Sequence, residues 1–459
     1  MPVLLAKRLV RGVFSLALGV AAVTFGAGCA GHEDRLRTAL DALDQGAEDA
    51  AIAALNEELE VSAAEDLPAE LAGDNALLVL DRASILQSLD RYELSKRDFG
   101  AADKAIDVLD MSRGATDELG KYLLSDDVGP YRAPAYEKLL INTLNMANYL
   151  ATGDLSGAKV EARRLAIMQK YIADQGDEGS LLGLGSLLAG LAFEKSGQKD
   201  EALLYYDEAL RYAQYPSLRD PLRVLTQGAP RSPGITALVG DAGPLPPVSE
   251  TGEAELVVML AFGRVPPKIP VRLPIGLALT MVSGNMSPHD AAQANTLAAK
   301  GLVTWVNYPK LGRTRGRYAI PELVVDGQPE DLELALDVES EVRRTWEKNE
   351  GAVVLAAVTR TITRLVAGEA AAAATRAAAG KNGGALGLLV GLATTAAMTA
   401  ADTPDTRSWA TLPARIAIAR RRIPPGEHVV MLGARGQAKA YRITVGPGGF
   451  AFVMGSVLR

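Results

Sequence analysis

Ser196 and Lys199 stand three residues apart, a spacing at which a lysine can take the proton of a serine nucleophile. That chemistry also needs SxN- and KTG-type elements, and Lys199 falls in a turn between two expected helices, so the spacing reads as coincidence. His289-Asp290 is half of a catalytic triad without a nucleophile elbow, and a capping role fits it better. His428 falls in an expected strand, and His32 reads as solvated. Glu330 and Asp331 are adjacent acids, but neighbouring carboxylates on a surface look the same as a glycosidase pair. The chain has no GxxxxGK[ST] loop, no GxGxxG after a strand and no GxSxG turn. One cysteine and three histidines exclude a disulfide framework and most zinc sites. The expectation is no catalytic residue, no metal and no cofactor.

The cysteine has a different use. Lys7, Arg8 and Arg11 precede an apolar run from Val13 to Phe25, and Gly26-Ala27-Gly28-Cys29 follows. A basic start, an apolar stretch too short to span a bilayer and a small-residue cleavage site describe a signal peptide over residues 1–28. A thiol directly after small residues resembles the lipobox of bacterial lipoproteins, although Gly26 stands where that motif usually has leucine. The resemblance implies that Cys29 is acylated, and each buried CH₂ of the acyl chains contributes about 0.8 kcal/mol to anchoring. Ala30 is not the aspartate that retains many such proteins at the inner membrane. The expected location is therefore the periplasmic face of the outer membrane. An ordinary signal peptide cut after Ala30, leaving a soluble periplasmic protein, is the alternative.

The 459 residues allow two or three domains. The formal charge is −7, and losing the three leader cations leaves 45 basic against 55 acidic side chains. Such a chain lacks the counterion-release drive of nucleic-acid binders. With only 7 Phe, 13 Tyr and 3 Trp, packing falls to Ala, Leu and Val.

Three turn phrases organise the first half. Leu89-Asp90-Arg91-Tyr92-Glu93 precedes Ser95, Phe99 and Ala102; Gly153-Asp154-Leu155-Ser156-Gly157 precedes Ala158, Ala162 and Leu165; Gly197-Gln198-Lys199-Asp200-Glu201 precedes Ala202, Tyr206 and Ala209. Steps of three and four put each trio on one helical face. Ala83 and Leu86, Met146 and Tyr149, and Gly190 and Phe193 stand at matching positions upstream. The pattern resembles the tetratricopeptide repeat, with a half-copy at Ala39 to Leu59. Copies 63 and 44 residues apart, rather than 34, imply inserted loops such as Ser112 to Pro134 and a short stack.

By that repeat's geometry the inner face uses Leu77, Leu80, Ser84, Leu140, Thr143, Leu184, Leu187 and Leu191. Leu80, Leu184, Leu187 and Leu191 are candidate peptide-binding residues, with Asn142, Asn145 and Asn148 as a polar strip for a peptide backbone. Two other readings stand beside this one. The chain's own C-terminal half can cover the face, and the asparagines can satisfy neighbouring helices. Glu161 and Arg164 are a solvated i, i+3 pair by default.

Five Pro and four Gly between Gln227 and Pro247 mark a linker, taken as 227–251. Strands are expected at 255–262, 268–275, 302–308, 322–325, 332–336, 415–423, 427–432, 439–445 and 450–454. A helical insertion spans 338–401, broken at Lys381-Asn382-Gly383-Gly384. Its second part, Leu386 to Ala401, is an uncharged helix expected to bury against sheet or partner rather than to cross a membrane. The fold class is α+β: a tetratricopeptide-like stack over 29–226, then a mostly antiparallel β domain over 252–459, read as one sheet with helices on it.

Cys29, Tyr136-Glu137, Val160-Glu161-Ala162-Arg163-Arg164, Pro266-Pro267-Lys268 and Ser408-Trp409-Ala410-Thr411-Leu412-Pro413 occur in an order that resembles an uncharacterised bacterial family of tetratricopeptide-like lipoproteins. The resemblance spans nearly the whole mature chain and implies membership rather than a reaction. It implies a lipid-anchored envelope scaffold that binds other envelope proteins, with a hint of peptidoglycan assembly. A cell-wall hydrolase with an unrecognised site, or a structural subunit of an outer-membrane complex, are the alternatives.

Overall fold

A computed structural model describes residues 32–71, 74–111, 131, 133–174, 182–227, 231–282, 292, 305–313, 321–378 and 403–459. Cys29, His289-Asp290 and the 386–401 segment lie outside them. Among the described residues the first half forms four antiparallel helical hairpins. They pair α1 (His32–Asp44) with α2 (Glu48–Glu58), α3 (Asn75–Ser88) with α4 (Tyr92–Met111), α5 (Ala135–Ala151) with α6 (Leu155–Asp174), and α7 (Leu182–Lys195) with α8 (Lys199–Tyr212).

All four turns solve one problem, the unpaired carbonyls at a helix end. Gly46, Asp90, Gly153 and Gly197 sit at φ 74°, 58°, 72° and 75°. The following N–H then reaches back five residues, from Ala47 to Ala42, Arg91 to Leu86, Asp154 to Tyr149 and Gln198 to Phe193, each at 2.9 Å. Glycine takes this left-handed conformation without penalty. Asp90 replaces it where the side chain has work to do: its carboxylate accepts from the Tyr441 hydroxyl at 3.2 Å and pairs with Lys439.

Small residues let the helices approach closely. A Cβ on Gly190 would lie 2.4 Å from the Tyr206 ring, and one on Gly157 would lie 2.2 Å from Tyr149. Ala83, Ala102, Ala147, Ala158, Ala162, Ala192, Ala202 and Ala209 are fully buried between the hairpins. This explains how an aromatic-poor chain fills its core.

The Pro/Gly-rich stretch contains two short helices, α9 (Pro233–Val239), capped by the Ser232 hydroxyl, and α10 (Val248–Thr251). Beyond it the described strands form three sheets instead of one. The central sheet orders β10 (Phe450–Val457), β1 (Ala254–Arg264), β7 (Pro413–Ile423) and β6 (Glu333–Asp337). A second orders β5 (Gln328–Glu330), β4 (Glu322–Val325), β8 (Gly426–Ala434) and β9 (Gln437–Val445). β2 (Lys268–Pro274) and β3 (Trp305–Leu311) form a separate ribbon. Pairing is antiparallel except for β1 with β10, which starts at Glu255 opposite Phe450.

The single-sheet expectation fails because period-2 patterning reports which strands have buried faces, not which strands pair. β1 shows the layering. Its eleven residues are all buried. Val257, Met259 and Ala261 face the helical core, and Leu256, Val258, Leu260 and Phe262 pack against Leu323, Val430 and Leu432 of the second sheet. Helices, central sheet and second sheet are three layers.

Helix α12 (Val338–Ala378) follows β6, and α11 (Ile275–Val282) follows β2. They share a smaller core with the ribbon, built from Ile275, Ala278, Val306, Tyr308, Val354, Val358 and Ile362. α12 contains an apolar window long enough to cross a bilayer, half of it buried inside the fold.

Candidate functional site

The inner face of the helical stack is where a peptide groove was expected, and the chain's own segment 403–412 lies in it. Trp409 is fully buried, edge-on to Phe99 with ring centroids 5.8 Å apart. Its indole N–H donates to Ser84 Oγ at 2.9 Å, and its backbone N–H donates to Glu137 Oε1 at 3.2 Å. The Tyr131 hydroxyl holds the other oxygen of Glu137 at 2.5 Å. Two residues on, the Thr411 N–H and hydroxyl both lie 2.8 Å from Asp81 Oδ1. Asp81 and Ser84 are one turn apart on α3, a helix buried on nearly every side. One face of α3 therefore supplies an acceptor for the Thr411 backbone N–H and another for the Trp409 indole N–H.

Burial raises both carboxyls. Asp81 is pushed up to about 7, against the opposing pull of the two Thr411 contacts, and its Oδ2 meets no partner among the described residues. Glu137 is also raised by burial. At the mouth of the seam Arg407 forks onto Asp405, with two contacts of 2.8 Å, and donates to Asp74 at 3.3 Å. Lys268 donates to the Arg407 carbonyl at 3.0 Å. His32 is buried beside this group, its Nδ1 3.8 Å from Asp74, and burial lowers its pKa to about 4. The structure thus gathers Glu137, Lys268, Trp409 and Thr411, which are scattered through the sequence, into one polar seam between the two halves.

A second seam lies between α7 and the central sheet. Arg420 of β7 donates to both oxygens of Glu255, at 2.6 and 3.0 Å, to Glu194 at 2.5 Å and to Tyr206 Oη at 3.0 Å. Lys195 pairs with both carboxylates. Burial alone would raise Glu194, but Arg420 and Lys195 outweigh it and hold the carboxyl below the usual range. This network joins helices to sheet.

The seven candidate peptide-binding residues all prove to be interior. Leu80, Leu184, Leu187 and Leu191 belong to the main core. Asn142 donates to Asp103 and Asn145 to Glu161, each at 3.2 Å. Asn148 donates to Ser95 at 2.9 Å and accepts from Gln87 at 2.7 Å. Asn142 and Asn148 tie the second hairpin to the third and Asn145 ties α5 to α6, so an open groove at these positions is corrected to a filled one. Glu161 is likewise buried rather than solvated, and burial raises its pKa to about 7.

Among the described residues, those weighed for catalysis do not assemble. Ser196 Oγ donates to the Ala192 carbonyl at 2.7 Å, while Lys199 starts the next helix in solvent. Both ring nitrogens of His428 are engaged, one by Asp326 at 2.6 Å and one by the Pro424 carbonyl at 2.8 Å. Glu330 pairs with Arg421 at 2.9 Å.

What the stack offers to solvent is its outer face. Val160, Ile167 and Tyr171 are exposed on α6, and Leu204 on α8; Ile167 and Leu204 are each 72% exposed. Arg163 lies over the Phe193 ring, which stacks on Tyr205 at 5.1 Å, so α6 and α8 form adjoining walls. Lys159, Arg163, Arg164 and Lys170 make the α6 wall cationic, and Asp200, Glu201, Asp207 and Glu208 make the α8 wall anionic. The sequence signal was present as apolar residues at i, i+7 and i+11, opposite Ala158, Ala162 and Leu165.

No protein-family model matches the chain, and no curated protein matches it. Among solved structures, the crystal structure of MamA aligns over 45% of this chain and 92% of its own, at 16% identity and a TM-score of 0.24, a likeness too slight to carry function.

Proposed function

We propose that this protein is a scaffold of the cell envelope, exported, acylated at Cys29 and docking other envelope proteins through the outer walls of α6 and α8. In this reading the hairpins are tetratricopeptide-type repeats whose inner face is occupied in cis, so recognition moves to the outer face. The observation that carries it is the pair Ile167 and Leu204, large apolar side chains left in solvent on adjoining helices. Between a cationic and an anionic wall, the complementary partner is an amphipathic helix with an apolar ridge, acids along one edge and bases along the other.

Photocrosslinkers at positions 167 and 204 of the full chain test this in intact envelopes. Both positions are expected to reach the same protein, with the product lost on Arg163→Glu and retained on Asp331→Lys. Absence of a shared product would refute the docking face. Intact-mass measurement of the mature protein tests the acylation separately.

A further inference from the structure

The β2–β3 ribbon ends in a tip that does not resemble a solvated surface. Trp305 opens β3 directly opposite Pro274, the last residue of β2, and α11 begins at the next residue. Ile275 and Ala278 turn inward onto Val306 and α12. Leu277, Met281 and Trp305 turn outward, 53%, 49% and 42% exposed. No charged residue occurs from Leu273 to Val282. Tryptophan beside aliphatic side chains, with no charge among them, is the composition of a membrane–water interface.

Charge and position say what this tip faces. In a chain of formal charge −7, the described ribbon and α11 (residues 268–282 and 305–313) carry Lys268, Arg272, Lys310 and Arg313 and no acid. Arg272 is exposed two residues from the tip, and Lys310 and Arg313 are exposed at the base of the ribbon. Such a stretch is drawn to anionic headgroups. The base of the ribbon also lies at the start of the described chain: Lys268 bonds the Arg407 carbonyl, Arg407 bonds Asp74, and His32 packs against Asp74. His32 is three residues from Cys29, a reach of about 10 Å when extended. The ribbon runs on from there for seven residues, about 20 Å.

We propose that the tip formed by Leu277, Met281 and Trp305 inserts into the headgroup boundary of the bilayer that holds the acylated N-terminus. It makes a second contact that orients the protein on an anionic lipid surface. This inference rests on the reading of Cys29 as the anchor. Two contacts are worth more than one because the tether makes the second encounter intramolecular.

The test uses the acylated full chain on vesicles of phosphatidylethanolamine and phosphatidylglycerol with brominated acyl chains, which quench only tryptophans that reach the bilayer. Trp409 is buried, so the signal belongs to Trp305 or Trp346, and Trp305→Phe separates them. The expected result is quenching that is largely lost in Trp305→Phe. It should also be lost in Leu277→Asp/Met281→Asp, which still floats with the vesicles. Equal quenching of wild type and Trp305→Phe in a floating, acylated chain overturns the tip contact and leaves the anchor standing. An unacylated thiol by intact mass, with no flotation, overturns both.

Discussion

Asp81 and His32 sit in the same buried region and respond to pH with opposite signs. Asp81 has a folded pKa of about 7, above its ordinary value of 3.8, so the native state holds the proton more tightly than the unfolded chain. Its contribution is fully present below 3.8 and is lost as pH rises through about 7. His32 has a folded pKa of about 4, below its ordinary 6.5, because burial disfavours the cation. Its contribution is present above 6.5 and is lost as pH falls through about 4. Asp81→Asn keeps an acceptor for the Thr411 N–H and removes the first effect. The variant is expected to gain thermal stability over wild type as pH goes from 4 to 7, which paired melting curves would show. A constant difference across that range would exclude a protonated Asp81. Trp409→Ala is expected to cost about 3–5 kcal/mol, since it empties a fully buried site and leaves Ser84 and its neighbours to collapse around a void. Denaturant titration measures it. Leu187→Asp/Leu191→Asp belongs with it: both positions are core, so the pair is expected to unfold the protein rather than abolish binding in a folded one.

The hairpin is the unit at the next scale, and its tolerance is set by glycine. Gly190 lies under the Tyr206 ring at a distance no Cβ can occupy, and Tyr206 is itself held by Glu194 and Arg420. The ring cannot move aside without breaking the second seam. Gly190→Ala is therefore expected to cost about 1–3 kcal/mol, while Gly100→Ala, on an open helix face, is expected to be neutral or slightly stabilising. Comparing the two midpoints separates crowding from helix propensity. A cost at Gly190 no greater than at Gly100 would mean that the hairpin relaxes freely.

At the scale of the molecule, the two halves of the chain are joined by buried charge as well as by apolar area. Arg420 is the centre of that joint. Arg420→Ala leaves Glu194 and Glu255 buried beside Lys195 alone, and is expected to destabilise by about 3–5 kcal/mol. Arg420→Met/Lys195→Met/Glu194→Gln/Glu255→Gln, which removes the four charges together, is expected to cost less. Limited proteolysis should then show the helical and β halves separating before either unfolds in Arg420→Ala. A single concerted loss of both halves would show instead that they form one cooperative unit.

Much of the local structure was legible because it depends on neighbours in sequence. The turns at Asp90, Gly153 and Gly197 stand out because a left-handed residue after an apolar face ends a helix wherever it occurs. β4 was found at its observed limits, and the expected strand at 415–423 differs from β7 by two residues, since alternation and β-branched content are local properties. β5 was missed because Gln328-Pro329-Glu330 has no apolar pattern and forms a strand only by pairing back across the Asp326-Gly327 turn. The site was much less legible. Leu80, Leu184, Leu187 and Leu191 have the same pattern whether a foreign peptide or the chain's own core lies against them. Asn142, Asn145 and Asn148 show their spacing but not the helices they face. The sequence by itself determined the hairpins, the strands other than β5 and the apolar side of each. Only the tertiary structure decided that Trp409 and Thr411 fill the groove, because an apolar face specifies that it be covered and not by what.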